Sequence, residues 1–431
     1  MANTNLKYTP SSTSNRIKWT WSAWVKLSKV GADQNLFTAY DSSSSYTEIQ
    51  IGDTGVFSFT NKGGGKLETN RKFRDVNSWY NFVVVWDSGN STAGNRMRLY
   101  VNGVEETSFA TDTNPSSGTT SIMNFASRPF YIGSWGQSSK YFDGSMSHIH
   151  FADGQAYAPT VFGSTDSTTG AWKINTSPSV TYGTNGFFLL KNDNSVTDRS
   201  GEGNNFTVDT GSITPTEDCP DNVFCTLNPL YQGDPARELV YSNGNGTIKG
   251  SASNWQPSGS TLAVPPKTGK WYWEFSQFVS TQMFMGIMAE DSNIDQNLPY
   301  QAAGLITYFY AGRLTVDASE TESYFTAISA QTDVIGVALD MTAGTYGQVQ
   351  FYRNGSATGS PVALTNNFAN RFVMPFAMVN GSSRKISINA GNGYFGSTAV
   401  SSAGTNASGV GIFEHNVPSG FTAISTKGFN I

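Results

Sequence analysis

The sequence predicts an all-β protein of two antiparallel β-sandwich domains in series. Three observations carry this reading. Charged residues make up only 14% of the 431, whereas glycine occurs 44 times among many Ser, Thr and Asn, a profile of short apolar runs broken by turns. Helical periodicity is nearly absent, and the apolar runs alternate instead. Hydrophobic residues at 38% and aromatics at 13% are enough for well-packed cores, and the length suits two or three domains.

The first strand series opens with "IKWTWSAWVKL" at 17–27. Trp19, Trp21, Ala23 and Val25 point one way, and Lys18, Thr20, Ser22 and Trp24 the other. "NLFTAYD", "YTEIQIG", "VFSFTN", "WYNFVVVWD", "RMRLYVNG", "PFYIGSW" and "MSHIHFADG" follow, separated by Gly, Asn, Asp and Ser clusters. Residues 1–163 are therefore expected to form one sandwich. Residues 164–236 are turn-rich, with only "GFFLLKN" and "NNFTV" strand-like, and are expected as a connector or extension packed on one domain. A second series begins near Glu238 and includes "KWYWEFSQF", "MFMGIMAE", "GLITYFYA", "DVIGVALDM", "GQVQFYRNG", "FVMPFAMVNG" and "KISINAG". Residues 237–396 are expected as a second sandwich and 397–431 as an extended tail, with the domain boundary between about Asn222 and Glu238.

Several classes of function are disfavoured. A net charge of −5, with 27 Lys and Arg spread thinly, offers no basic patch for a nucleic acid. No run approaches roughly 18 apolar residues, so no membrane insertion is expected. The opening "MANTNLKYTP" lacks the apolar core of a secretory signal, so synthesis in a cytoplasm is expected. Cys219 and Cys225 are spaced for a small disulfide loop, but a reducing compartment favours thiols, and the pair fits no zinc motif.

The first half, through "KWTWSAWVKLSK", "WYNFVVVWD", "RMRLYVNGV", "PFYIGSW" and "YFDGSMSHIHFADGQAYAPTVFG", resembles a LamG-type domain, which implies the concanavalin A-like jelly-roll fold. The second half, through "GKWYWEF", "GIM", "DVIGVALDMTAG", "QFYRNG" and "NAGNGYFG", resembles a SPRY domain, a β-sandwich binding module and not an enzyme. The stretch from Asp291 to Tyr324 departs from the usual SPRY loops. Both together, with the "GFTAIST" tail, resemble virion-associated proteins of marine bacteriophages. That resemblance implies a multi-copy particle component, made in the host cytoplasm and exposed on a tail fibre, tail or capsid surface, with other virion proteins and host-surface glycans as partners. A purely structural decoration or connector protein is the alternative. Neither coiled-coil heptads nor fibrous β-repeats are present, so a self-trimerising shaft is not expected.

Glu48, Gln50 and Asp53 nearly reproduce the E-x-D-x-x-E strand of β-glucanases of the same fold. Retaining hydrolysis needs two carboxyl groups about 5 Å apart. Here an amide stands at the third position and a shortened acid at the last, where Gly52 and Asp53 read as a turn. A glycoside hydrolase is thus the weakest reading, and no enzyme is expected. His148 and His150, two apart on a strand, share a face as a zinc pair would, but read more simply as polar positions on an exposed face, with Asp143 a weak third ligand. The resemblance also implies calcium at a loop rim, for which Asp41, Asp53, Asp143 and Asp153 lie at expected turns. Loop aromatics are the stronger signal, because sugars stack on Trp and Tyr. Trp135 and Tyr141 in "IGSWGQSSKYF", and Tyr300, Tyr308, Tyr310 and Arg313 in the second half, are the expected ligand-binding residues. Packing is the competing role for Tyr308 and Tyr310.

Overall fold

A computed structural model of the chain describes residues 3–191, 195–231, 233, 238–279, 281–295 and 298–430. It divides into two compact units, Met1–Pro215 and Thr216–Ile431. Among the described residues the regular structure is strand, paired antiparallel but for Thr422–Ala423, with a few single-turn 3₁₀ segments, and no helix is long and apolar enough to cross a membrane.

The alternation in 17–27 has its consequence in the first unit. Strand Lys18–Leu27 lies between Gly144–Asp153 and Trp79–Asp87 in a six-stranded sheet. Its Trp19, Trp21, Ala23 and Val25 fill the core, with Trp21 stacked on Phe37 of the facing sheet at 6.1 Å and 7°. That facing sheet has eight strands in the order Phe109–Thr113, Lys66–Lys72, Val56–Asn61, Ser45–Ile51, Gln34–Ser42, Phe130–Ile132, Asn5–Tyr8 and Thr207–Thr210. Its inward positions are apolar (Phe37, Ala39, Ile49, Phe57, Phe59, Phe130), whereas Asn35, Thr38, Glu48 and Ser58 stand on the opposite face. Burying each large side chain contributes about 1.5–3 kcal/mol, so pattern and register are fixed together.

Residues 164–215 are part of the first unit and not a connector. Phe187–Leu189 pairs with Gly144–Asp153, and Thr207–Thr210 pairs with Asn5–Tyr8. A satellite cluster of Phe162, Val83, Val85 and Tyr100, with Val180 packed against it, covers the outer face of the six-stranded sheet. The unit boundary falls at Pro215/Thr216, upstream of the expected 222–238 window; the 236/237 limit itself lies outside the described residues.

In the second unit, Lys270–Val279 occupies the middle of one sheet, between Ile335–Asp340 and Lys385–Asn389. The second sheet runs Trp255–Ser258, Val373–Asn380, Met283–Ala289, Leu305–Phe309, Leu314–Val316 and Ser319–Thr321. Trp273, Phe275, Met285, Ile287, Val337 and Phe351 fill the space between them. The expected tail is integral to this unit. Thr422–Ala423 joins Lys270–Val279 in parallel, Ile424 is fully buried in the core, and Phe429 packs on Trp271 at 4.6 Å. Residues 216–227 belong here too, since Phe224 pairs with Ser425, and Leu227 is fully buried. Cys219 and Cys225 are not joined by a disulfide; Cys225 is buried, with its Sγ 3.6 Å from Leu262 O.

Candidate functional site

In the first unit the chain leaves strand Phe130–Ile132 and folds residues 133–143 over the polar outer face of the eight-stranded sheet before entering Gly144–Asp153. The loop is set by local bonds. Ser134 Oγ accepts from Asn5 Nδ2 at 2.8 Å and donates to Gly136 O at 2.6 Å, and the Trp135 N–H donates to Ser139 O at 2.9 Å. Gly136 sits at φ +62° against the Tyr40 ring, a backbone conformation that favours glycine.

Trp135 is thereby held edge-on to Tyr40 at 5.1 Å and to Tyr46 at 5.6 Å. Beside it opens a cleft of about 450 Å³ lined by Lys7, Tyr40, Asp41, Arg128, Tyr131, Trp135 and Gln137 among others. Strand register explains the grouping, since Lys7 faces Tyr131 across one ladder and Tyr131 faces Thr38 across the next. Arg128 Nε lies 2.6 Å from Asp41 Oδ1 and its guanidinium covers Phe125 at 5.0 Å. Lys7 Nζ is 3.8 Å from Asp209. Burial first, then Asp209 and Tyr40, push the Tyr131 phenol above its ordinary pKa, so it stays protonated.

Lys140, from the same loop, ties the loop to the near-glucanase positions. Its Nζ donates to Gln50 Oε1 at 2.9 Å and lies 3.6 Å from Asp33 and 3.9 Å from Glu48. Glu48 is buried, at 4% exposure, with Asn35 Nδ2 at 3.4 Å. Burial raises its pKa, and Lys140 opposes that shift. Strand Ser45–Ile51 ends before Asp53, which stands exposed in the following turn with its N–H bonded to Asp33. Glu48 and Asp53 therefore do not share a strand face.

The other expected residues separate. Tyr141 stays on the loop, its hydroxyl donating to Gln137 O at 2.9 Å. Tyr308 is fully buried, stacked on Phe325 at 4.4 Å with its hydroxyl bonded to Thr326 O, so it is a core residue and not a ligand contact. Tyr310 packs against the same core. Tyr300 stacks on Phe284 at 4.8 Å and meets Trp255 at 5.3 Å. Arg313 is engaged by Glu320 and Glu322, each at 3.3 Å, and lies 4.5 Å over Phe309. Tyr300 and Arg313 thus meet at the Phe284 ring, with Arg313 5.7 Å from its centre, whereas Tyr308 and Tyr310 pack elsewhere in the core.

The aspartates and histidines also take structural places. Asp41 is paired with Arg128, and Asp143 is half-buried, with burial raising its pKa. Asp153, 5% exposed, accepts the Asn15 N–H at 3.2 Å, the Asn185 N–H at 3.1 Å and the Asn124 side-chain amide at 2.8 Å. A calcium ion wants six to eight oxygens turned inward. Asp41 and Asp153 are committed to nitrogen partners, and among the described residues no three His, Cys, Asp or Glu form a metal-holding group. The four candidates do not fit one calcium site. His148 and His150 are not on an exposed face. A bulge between Ser147 and His150, with His148 at φ +47°, breaks their shared register, and the segment bearing Tyr182 and Phe188 buries them. His150 stacks on Phe188 at 3.9 Å, bonds Tyr182 at 2.8 Å, and burial holds it neutral.

Lys7, Tyr40, Arg128 and Tyr131 were not legible as site residues. Tyr131 carried a signal, because alternation places it opposite core-facing Phe130 and Ile132. Lys7 and Arg128 are brought in only by strand order.

These features define a protein of two β-sandwich domains in series. Residues 2–162 match the family described as the concanavalin A-like lectin/glucanases superfamily, and residues 270–393 match the SPRY domain. The chain thus contains a LamG-type, concanavalin A-like domain followed by a SPRY domain. Among solved structures it is similar to the SPRY domain of human HERC1, at 18% identity over 38% of this chain and 96% of that one, TM-score 0.30. It is also similar to a heptameric SAP-like pentraxin from Limulus polyphemus, at 14% identity over 44% and 90%, TM-score 0.29. No curated protein matches the chain.

Proposed function

We propose that the chain is a non-catalytic binding protein whose concanavalin A-like unit holds a saccharide in the Trp135 cleft. The observation that carries this reading is the cleft itself, where the Trp135 and Tyr131 rings stand beside polar groups able to orient hydroxyls. Hydrolysis is disfavoured because Glu48 is buried against Lys140, Gln50 replaces an acid, and Asp53 lies past the strand end. In the finer reading, the chain is a bacteriophage virion component displayed on a tail fibre, tail or capsid surface, adhering to host glycans through many weak contacts. The pairing of a LamG-type with a SPRY domain supports it. The SPRY unit would hold the chain to other virion proteins; Leu230 and Phe372, 59% and 44% exposed, offer apolar contacts for this. No nucleic acid or membrane is needed.

A glycan array probed with the clustered protein tests the binding reading: retention lost in Trp135→Ala supports it, and absence of any glycan signal overturns it. Immunogold labelling of intact particles tests the location, with labelling confined to the tail favouring host recognition and labelling over the whole capsid favouring decoration.

A further inference from the structure

The groups lining the cleft of the first unit are mostly hydrogen-bond donors. Lys7 and Arg128 are both there, against one carboxylate, Asp41. Arg128 Nε lies 2.6 Å from Asp41 Oδ1 but makes no hydrogen bond of proper geometry. Lys7 has only the distant Asp209 as an ionic partner among the described residues. Tyr131 lies between the two cations and lines the cleft, with Lys7 Nζ 5.7 Å from its ring centre. In a chain of net charge −5, the cleft thus gathers two cations, each with a carboxylate beside it, at one polar surface.

We propose that the cleft selects anionic saccharides, with a carboxylate or sulfate seated between Lys7, Tyr131 and Arg128 and the sugar ring laid against Trp135. The chemistry follows from the donor set. Arginine and lysine bind carboxylate and sulfate oxygens through short charge-assisted bonds, and a guanidinium fixed on an aromatic face is preorganised for this. A neutral sugar would satisfy fewer of these donors and gain nothing from the two charges. The proposal rests on the glycan-binding reading above but makes a separate claim about charge.

The test is titration calorimetry of the full chain with three oligosaccharides of equal length, one neutral, one bearing uronic acids and one sulfated, at low and raised salt. Affinity for at least one anionic ligand should exceed that for the neutral one by about tenfold at low salt, and salt should shrink the difference. Lys7→Gln and Arg128→Gln should each lower anionic binding more than neutral binding and so remove most of the preference. Arg128→Lys should keep part of it, which separates charge from any disturbance of Asp41. The carboxylate and sulfate arms identify the anion. Equal binding of neutral and anionic ligands, lost in Trp135→Ala, would overturn the charge selectivity and leave the glycan reading standing. Binding of none would overturn both.

Discussion

Glu274, fully buried in the second unit, receives the main-chain N–H of His415 at 3.0 Å and that of Glu414 at 2.9 Å. Tyr272 adds its hydroxyl at 3.1 Å. A single carboxyl group thus clasps the C-terminal segment to the outer face of strand Lys270–Val279, over the small cluster of Tyr272, Phe413 and Val417.

Burial raises the Glu274 pKa to about 7, against the pull of those N–H groups. Since the folded state then holds the proton more tightly than the unfolded one, this group disfavours folding as pH rises from about 4.5 to about 7 and adds no further slope above that. The loss across that window is on the order of 3 kcal/mol. Urea denaturation of wild type and Glu274→Gln at pH 5 and pH 8 should show the stability difference between them shifting by about that amount. A constant difference would contradict the assignment.

The terminal segments of the second unit are part of its core, so the shortest fragment that folds should start near Thr216 and not near Glu238. Removing 216–237 discards buried Phe224 and Leu227, and removing 418–431 discards Ile424 and the Phe429 contact with Trp271. In the 216–431 fragment, Ile424→Ala should cost about 2–5 kcal/mol by equilibrium unfolding. A stable, cooperative 238–417 fragment would refute this.

No glycanase activity is expected. Purified protein should release no reducing ends from laminarin or host polysaccharide, and Glu48→Gln should leave both that result and glycan binding unchanged. Turnover abolished by Glu48→Gln would overturn the non-catalytic reading.

Binding by one copy should be weak. Each well-stacked aromatic contributes on the order of 1 kcal/mol beyond its buried area, whereas micromolar affinity requires about 8 kcal/mol. A clustered form should therefore be retained on host cells when the monomer is not, with Trp135→Ala reducing retention of the cluster. Equal retention of monomer and cluster would rule out avidity as the mechanism.

The core-facing sides of two central strands were legible in the sequence, because Trp19/Trp21/Ala23/Val25 and Trp271/Trp273/Phe275 alternate visibly; the burial of their other sides, at Thr20, Ser22 and Trp24 and at Tyr272 and Glu274, was not. Lys66–Lys72 and Phe109–Thr113 were not, since they lie at the end of the eight-stranded sheet and carry mostly polar residues. The tail read as extended because its burial depends on isolated residues such as Ile424, which no local pattern marks. Trp135 stood out against a Gly/Ser loop. The charged half of the cleft did not, because Lys7 and Arg128 are 121 positions apart and meet only through the ladder that joins Asn5–Tyr8 to Phe130–Ile132. His150 was misplaced for a similar reason: its strand face is covered by residues some 30 positions downstream, around Tyr182 and Phe188.

The first unit is closed by antiparallel pairing of its own first and last strands, Asn5 with Thr210 and Lys7 with Thr207. This has a mechanical consequence. In such a pair the entering and leaving chain emerge at the same end of the ladder, so tension between them loads one rung at a time and opens the closure like a zip. A ladder loaded in shear would share the force across all its rungs at once. Forced unfolding is governed by the rate of opening and not by equilibrium stability, so the first sandwich should yield at low pulling force despite its dense aromatic core.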